Sequence, residues 1–70
     1  MVAGIGDYVV LFRATGGCDL FTIDEASARV SVRTNLPTPQ DARRIARAAM
    51  QAGRQIWVCD EAHPNIINPY

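Results

Sequence analysis

The sequence contains no lysine. All seven basic residues are arginine (Arg13, Arg29, Arg33, Arg43, Arg44, Arg47 and Arg54), and seven acids bring the formal net charge to zero. A dedicated nucleic-acid binder usually carries a basic excess, so the global balance counts against that role. Arginine codons can be GC-rich and lysine codons AT-rich. The bias therefore reads as a high-GC bacterial genome, or one of its phages or mobile elements. Selection for the planar, multi-donor guanidinium is the competing explanation.

Sulfur and imidazole are also scarce, with two cysteines and one histidine. A structural zinc site wants four nitrogen or sulfur ligands, and this chain owns three. Cys59 and His63 stand four apart and could share a metal with Cys18, or act as thiol and base. A strand residue and a loop residue at that spacing have no assured contact, and no oxyanion donor accompanies them. The N-terminus lacks the basic and apolar regions of a signal peptide. The longest apolar run, Tyr8 to Phe12, is far short of the ~20 residues that span a bilayer. A cytoplasmic location is expected, with both thiols reduced. A Cys18–Cys59 disulfide would need their strands to be neighbours. Gly4-Ile5-Gly6 and Gly16-Gly17 lack the spacing, lysine and following helix of a phosphate loop. Asp24 and Glu25 are adjacent turn carboxylates. No enzyme, cofactor or metal site is expected.

At 70 residues the chain is one domain, near the lower limit for folding without a disulfide or metal. Asp7 to Ala14 is apolar on both faces, as a central strand is. Thr15-Gly16-Gly17 suits a hairpin turn, and Cys18 to Ile23 returns as the second strand. Ala28 to Thr34 alternates, with Ala28, Val30 and Val32 on one side and Arg29, Ser31 and Arg33 on the other, which predicts a half-buried antiparallel strand. A helix follows from Thr38 to Ala52. Thr38 is its N-cap, Pro39 its first residue, Asp41 its third, and Gly53 its stop. Ala42, Ile45, Ala46, Ala49 and Met50 form its buried stripe. Gln55 to Cys59 makes a fourth strand, and residues 60–70, with Pro64 and Pro69, form an irregular tail. The expected fold is α+β: a small antiparallel sheet of about four strands with one helix on one face, in the order β-β-β-α-β.

Two surfaces follow. The helix presents Arg43, Arg44 and Arg47, with Arg54 just beyond its end, to an acidic protein groove or to phosphates. The sheet face away from the helix holds surplus apolar material, centred on Tyr8, Phe12, Phe21 and Trp57 if they share a side. An exposed patch of that kind marks an interface. It would be covered by the tail, a second copy in a homodimer, or another protein. The sequence therefore predicts a small non-enzymatic protein-interaction module, an inhibitor, adaptor or subunit that masks a partner's surface. A nucleic-acid-binding regulator using the arginine face is the alternative.

Overall fold

The computed structural model describes residues 2–70. Its elements are β1 (Tyr8–Phe12), β2 (Cys18–Ile23), β3 (Arg29–Leu36), α1 (Pro39–Ala49), β4 (Ile56–Asp60) and β5 (His63–Pro69). They build one five-stranded sheet in the order β3-β2-β1-β4-β5. β1 is central, as its two-sided apolar composition requires. β1–β2, β2–β3 and β4–β5 are antiparallel, whereas β4 runs parallel to β1. The sheet is therefore mixed rather than antiparallel, because the helix returns the chain across β2 and β1 and lays β4 down in the direction of β1. A crossover of this kind is what parallel neighbours need.

The second departure is at the C-terminus. Residues expected as an irregular tail form β5, the fifth strand. Its prolines disguise it, yet an edge strand tolerates proline because one side of its backbone needs no ladder bond. A turn at Glu61-Ala62 joins it to β4, closed by the His63 N–H donating to Asp60 Oδ1 at 2.9 Å.

The helix begins where expected. Thr38 Oγ1 accepts from the Asp41 N–H at 3.3 Å and donates to Asp41 Oδ2 at 2.9 Å. It ends earlier, at Met50, whose extended backbone breaks the ladder while its N–H still reaches the Ala46 carbonyl. Gly53, with φ of 86°, shapes the turn that follows. Ala42 and Ala46 are buried and Ile45 and Met50 half-buried, but Ala49 is exposed.

Two apolar layers flank the sheet. On the helix side Val10, Cys18, Leu20 and Ile56 pack with Ala42 and Ala46. On the other side Val9, Ile23, Trp57 and Cys59 pack with Ala3, Leu11, Phe21 and Ile67. No helix covers this second layer, yet Val9 is 0% exposed and Trp57 9%. The sheet curls over it. Arg29 on one edge strand donates to Cys59 Sγ at 3.8 Å and to the Pro64 carbonyl on the opposite edge strand. Val2 and Ala3 line the same seam with Ile23, Asn65 and Ile67. The surplus apolar material is thus the inside of a half-barrel. Total accessible surface is 4417 Å², against roughly 4,300 Å² for a compact monomer of this mass.

The edge strand β3 is less buried than its alternation implies, since Ala28 and Val30 are exposed. Register shifts between Cys18, Leu20 and Phe21 interrupt its pairing with β2, and Asn35 takes a positive φ of 55°, while Val32 and Leu36 still pack against the helix-side layer. Asp19 fixes this irregularity: its carboxylate accepts from the Asn35 N–H and from Arg13 Nε, both at 2.9 Å. Gly17 sits beside it. With φ at 78° and Leu36 O only 2.9 Å from where a Cβ would lie, this position admits no side chain. Gly17→Ala should cost about 2 kcal/mol, from left-handed backbone plus the clash. Gly16→Ala, with open space at its Cβ, should cost only the backbone share. Urea midpoints of the two variants separate these terms, and equal losses would mean that the Leu36 contact is readily relieved.

Candidate functional site

The structure does not assemble the four aromatics expected on one sheet face. Val9 pairs with both Phe21 and Trp57, so those two rings share the curled inner face. Tyr8 packs with the helix-side layer. Phe12, two strand residues beyond Val10 on that same side, is 36% exposed and borders a recess with Val58, His63 and Ile66. Strand parity divides them: residues 8 and 12 have one parity in β1, and the neighbours of Val9 have the other. Trp57 is committed to structure, its indole N–H donating to Asp7 Oδ2 at 2.9 Å.

The arginines are also sorted. Arg44 turns to Asp41 at 3.3 Å on the solvent side of the helix. Arg43 and Arg47, one turn apart, lie on the flank that faces the β4–β5 hairpin. With Arg54, Met50, Gln51, Gln55, Ile56 and Tyr70 they line a cleft of about 420 Å³. The Arg43 guanidinium stands 4.9 Å from the centroid of the Tyr70 ring. Its Nε is buried and has no hydrogen-bond partner. An orphaned charged donor is costly unless something accepts from it. Arg54 leans back towards Gly6 as well, about 3.3 Å from where a Cβ on that glycine would stand.

The acids explain why a neutral chain can hold a positive cleft. Asp7 accepts from the Gly4 and Gln55 N–H groups, Asp19 from Asn35, Asp24 from Ala26 and Ala28, Asp60 from His63, and Glu61 from Ala14. Asp41 holds Thr38 and Arg44. Only Glu25, in an exposed turn, lacks such a bond among the described residues. The cations Arg13 and Arg44 are paired with Asp19 and Asp41. Arg43, Arg47 and Arg54 make no salt bridge among the described residues, and no Asp or Glu side chain lines their cleft, although Asp7 feels the charge of Arg54 from behind it. The C-terminal carbonyls of α1 contribute about half a negative charge nearby and Asp7 offsets part of the charge of Arg54, which leaves the positive excess centred on Arg43 and Arg47.

Cys18 and Cys59 are free and buried, one in each apolar layer on opposite faces of the sheet. The central strands lie between them, so they cannot pair, and Cys18, Cys59 and His63 do not converge on one point. Burial pushes the Cys18 thiol up, with Asp19 and Asp41 adding to it, away from the thiolate a nucleophile needs. Among the described residues no group of three or more His, Cys, Asp or Glu is placed to hold a metal. No helix among them is long and apolar enough to cross a membrane.

Tyr70, Val58 and Ile66 were not legible as site residues. Ile66 and Tyr70 are placed by β5, whose existence the prolines hid, and Val58 of β4 gains its recess only with Ile66 beside it. No family model, curated protein or solved structure matches this chain, so its function has to be read from the site itself.

Proposed function

We propose that the chain is a small non-enzymatic interaction module that masks a surface of another protein. Its working surface is the groove along α1 above β4 and β5. The helix packs on β1, β2 and β3, which leaves the hairpin side of the sheet open next to its flank. The arginine cleft lies at one end of this groove. Phe12, half-buried Val58 and Ile66, 63% exposed, lie at the other.

The observation that carries the reading is the segregation of charge. Six of seven acids are engaged in internal hydrogen bonds, while three arginines share one cleft that no Asp or Glu side chain lines. A surface with unpaired guanidinium groups at one end and apolar side chains at the other complements a segment that is acidic and amphipathic. The sheet face that would have supported a homodimer is folded inside each chain, so a different protein is the proposed partner rather than a second copy.

Fluorescence anisotropy with a labelled peptide of alternating glutamate and leucine tests this. Arg43→Ala combined with Arg47→Ala should weaken binding at least tenfold, and Ile66→Asp several-fold, whereas Arg44→Ala should stay within twofold. Indifference to both changes would remove the groove from consideration. Tighter binding to duplex DNA, unaffected by Ile66→Asp and falling steeply with salt, would favour the nucleic-acid alternative instead.

A further inference from the structure

Resting on that reading of the groove, we infer that its arginine end is a phosphate-monoester site. The ligand class follows from charge, donor geometry and size taken together. Two guanidinium groups, those of Arg43 and Arg47, are presented from successive turns of one helix, and Arg54 closes the end of the cleft. A single carboxylate neutralises one of these charges. A phosphate monoester carries about −1.5 to −2 at neutral pH, with three acceptor oxygens, and matches two or three.

Geometry points the same way. The guanidinium group presents its donors as a flat fork that grips two oxygens of one phosphate. At Arg43 the ring of Tyr70 lies under that fork and restricts its plane. The Nε is shielded from solvent and has no acceptor among the described residues, so the grip falls to the two terminal Nη groups of the fork. Tyr70 and the amides of Gln51 and Gln55 surround the rest of the space, with room for the group that bears the phosphate. Of the chemistry around the cleft, α1 contributes Arg43 and Arg47, the following turn Arg54, and the end of β5 Tyr70. No Asp, Glu or His side chain lines it. Asp7, which faces Arg54 from just before β1, is held below the ordinary carboxylate value and stays ionised between pH 5 and 7.5, so the change of charge over that range is the ligand's.

Two sources supply this chemistry, a phosphorylated side chain on a protein partner and a free small phosphate ester, and the test separates them. Arginine side-chain Nε–Hε resonances of the full chain are followed by NMR during titration with O-phosphoserine, inorganic phosphate and acetate. The same measurement is made with a glutamate–leucine peptide carrying one phosphoserine and with its unphosphorylated form.

O-phosphoserine should shift the Arg43 and Arg47 signals saturably, at least tenfold more tightly than acetate. Its affinity should rise several-fold as pH climbs through about 6, where the dianion forms. Arg43→Lys should abolish that preference while the fold, monitored by the amide spectrum, is retained. Arg44→Ala should leave it unchanged. A phosphopeptide binding tenfold better than O-phosphoserine assigns the site to a modified partner, and equal affinities assign it to small esters. Equal binding of the two peptides, with no preference for phosphoserine over acetate, overturns the phosphate inference and leaves the groove reading standing. Shifts confined to Arg44 or Arg33 would overturn it as well. If neither peptide binds, the groove reading fails too.

Discussion

Asp7→Asn should lose about 3 kcal/mol of stability, close to everything a core of this size supplies. Asp7 is 6% exposed and ties the N-terminal lead-in to the start of β4. Its Oδ1 accepts from the Gln55 N–H at 2.9 Å, while Oδ2 accepts from the Gly4 N–H at 2.8 Å and the Trp57 indole at 2.9 Å. An ionised carboxylate is acceptor-only and meets three donors without conflict. Asparagine offers one oxygen and an amide that must face at least one of those donors. Each buried group left without its partner costs about 1–3 kcal/mol. Circular dichroism during urea unfolding reads the loss, and a change under about 1 kcal/mol would show that the lead-in and β4 hold together without this carboxylate.

The same residue sets the acid limb of stability. Burial would raise the Asp7 pKa, but the hydrogen bonds from Gln55, Trp57 and Gly4, aided by the charge of Arg54, hold it below the ordinary 3.8. Asp19 is held down chiefly by its hydrogen bond from Arg13. A carboxyl with a depressed folded-state pKa contributes stability that is present above its unfolded value and lost as pH falls through the folded one. The wild-type chain should therefore keep its stability down to about pH 4 and lose it below. Asp7→Asn should start lower and lose less on further acidification.

Asp7 also illustrates what was legible in the sequence and what was not. The sequence marks it as the first residue of a strand and gives no sign of a hub, because two of its three donors lie 48 and 50 residues away. The helix could be read because its signals are local: a threonine cap, a proline at the first position, and apolar residues at helical spacing. The centrality of β1 was legible for a similar reason, since apolar residues on both faces need cover on both. Parallel pairing of β1 with β4 was not legible. The direction of a strand after a helix is set by where the helix packs. β5 was hidden because His63-Pro64 and Asn68-Pro69 form its two ends, and proline argues against a strand unless the strand is known to be an edge. The candidate site inherits this limit. Arg43, Arg47 and Arg54 stood out in the sequence, but their separation from Arg44 required the hairpin that brings Tyr70 under Arg43.

The apolar excess was legible as a quantity and misleading as a location, and a matched pair of substitutions tests where it went. Val9 and Val10 are neighbours in β1, each 0% exposed, and they point to opposite faces of the sheet. Val10 faces the helix. Val9 faces Phe21 and Trp57 in the curled layer that no helix covers. Had this second face been an open platform, Val9→Ala in the isolated chain would cost little, since the side chain would already meet water. With both side chains sealed, each truncation removes two methyl groups at about 0.8 kcal/mol apiece and leaves a partly collapsed cavity. Val9→Ala and Val10→Ala should each lose about 2–3 kcal/mol, within roughly 1 kcal/mol of one another, with unchanged urea slopes. A Val9→Ala loss below about 0.5 kcal/mol beside a full loss for Val10→Ala would mean that the sheet opens in solution and exposes Trp57. The interaction surface would then belong on the inner face rather than in the groove beside α1.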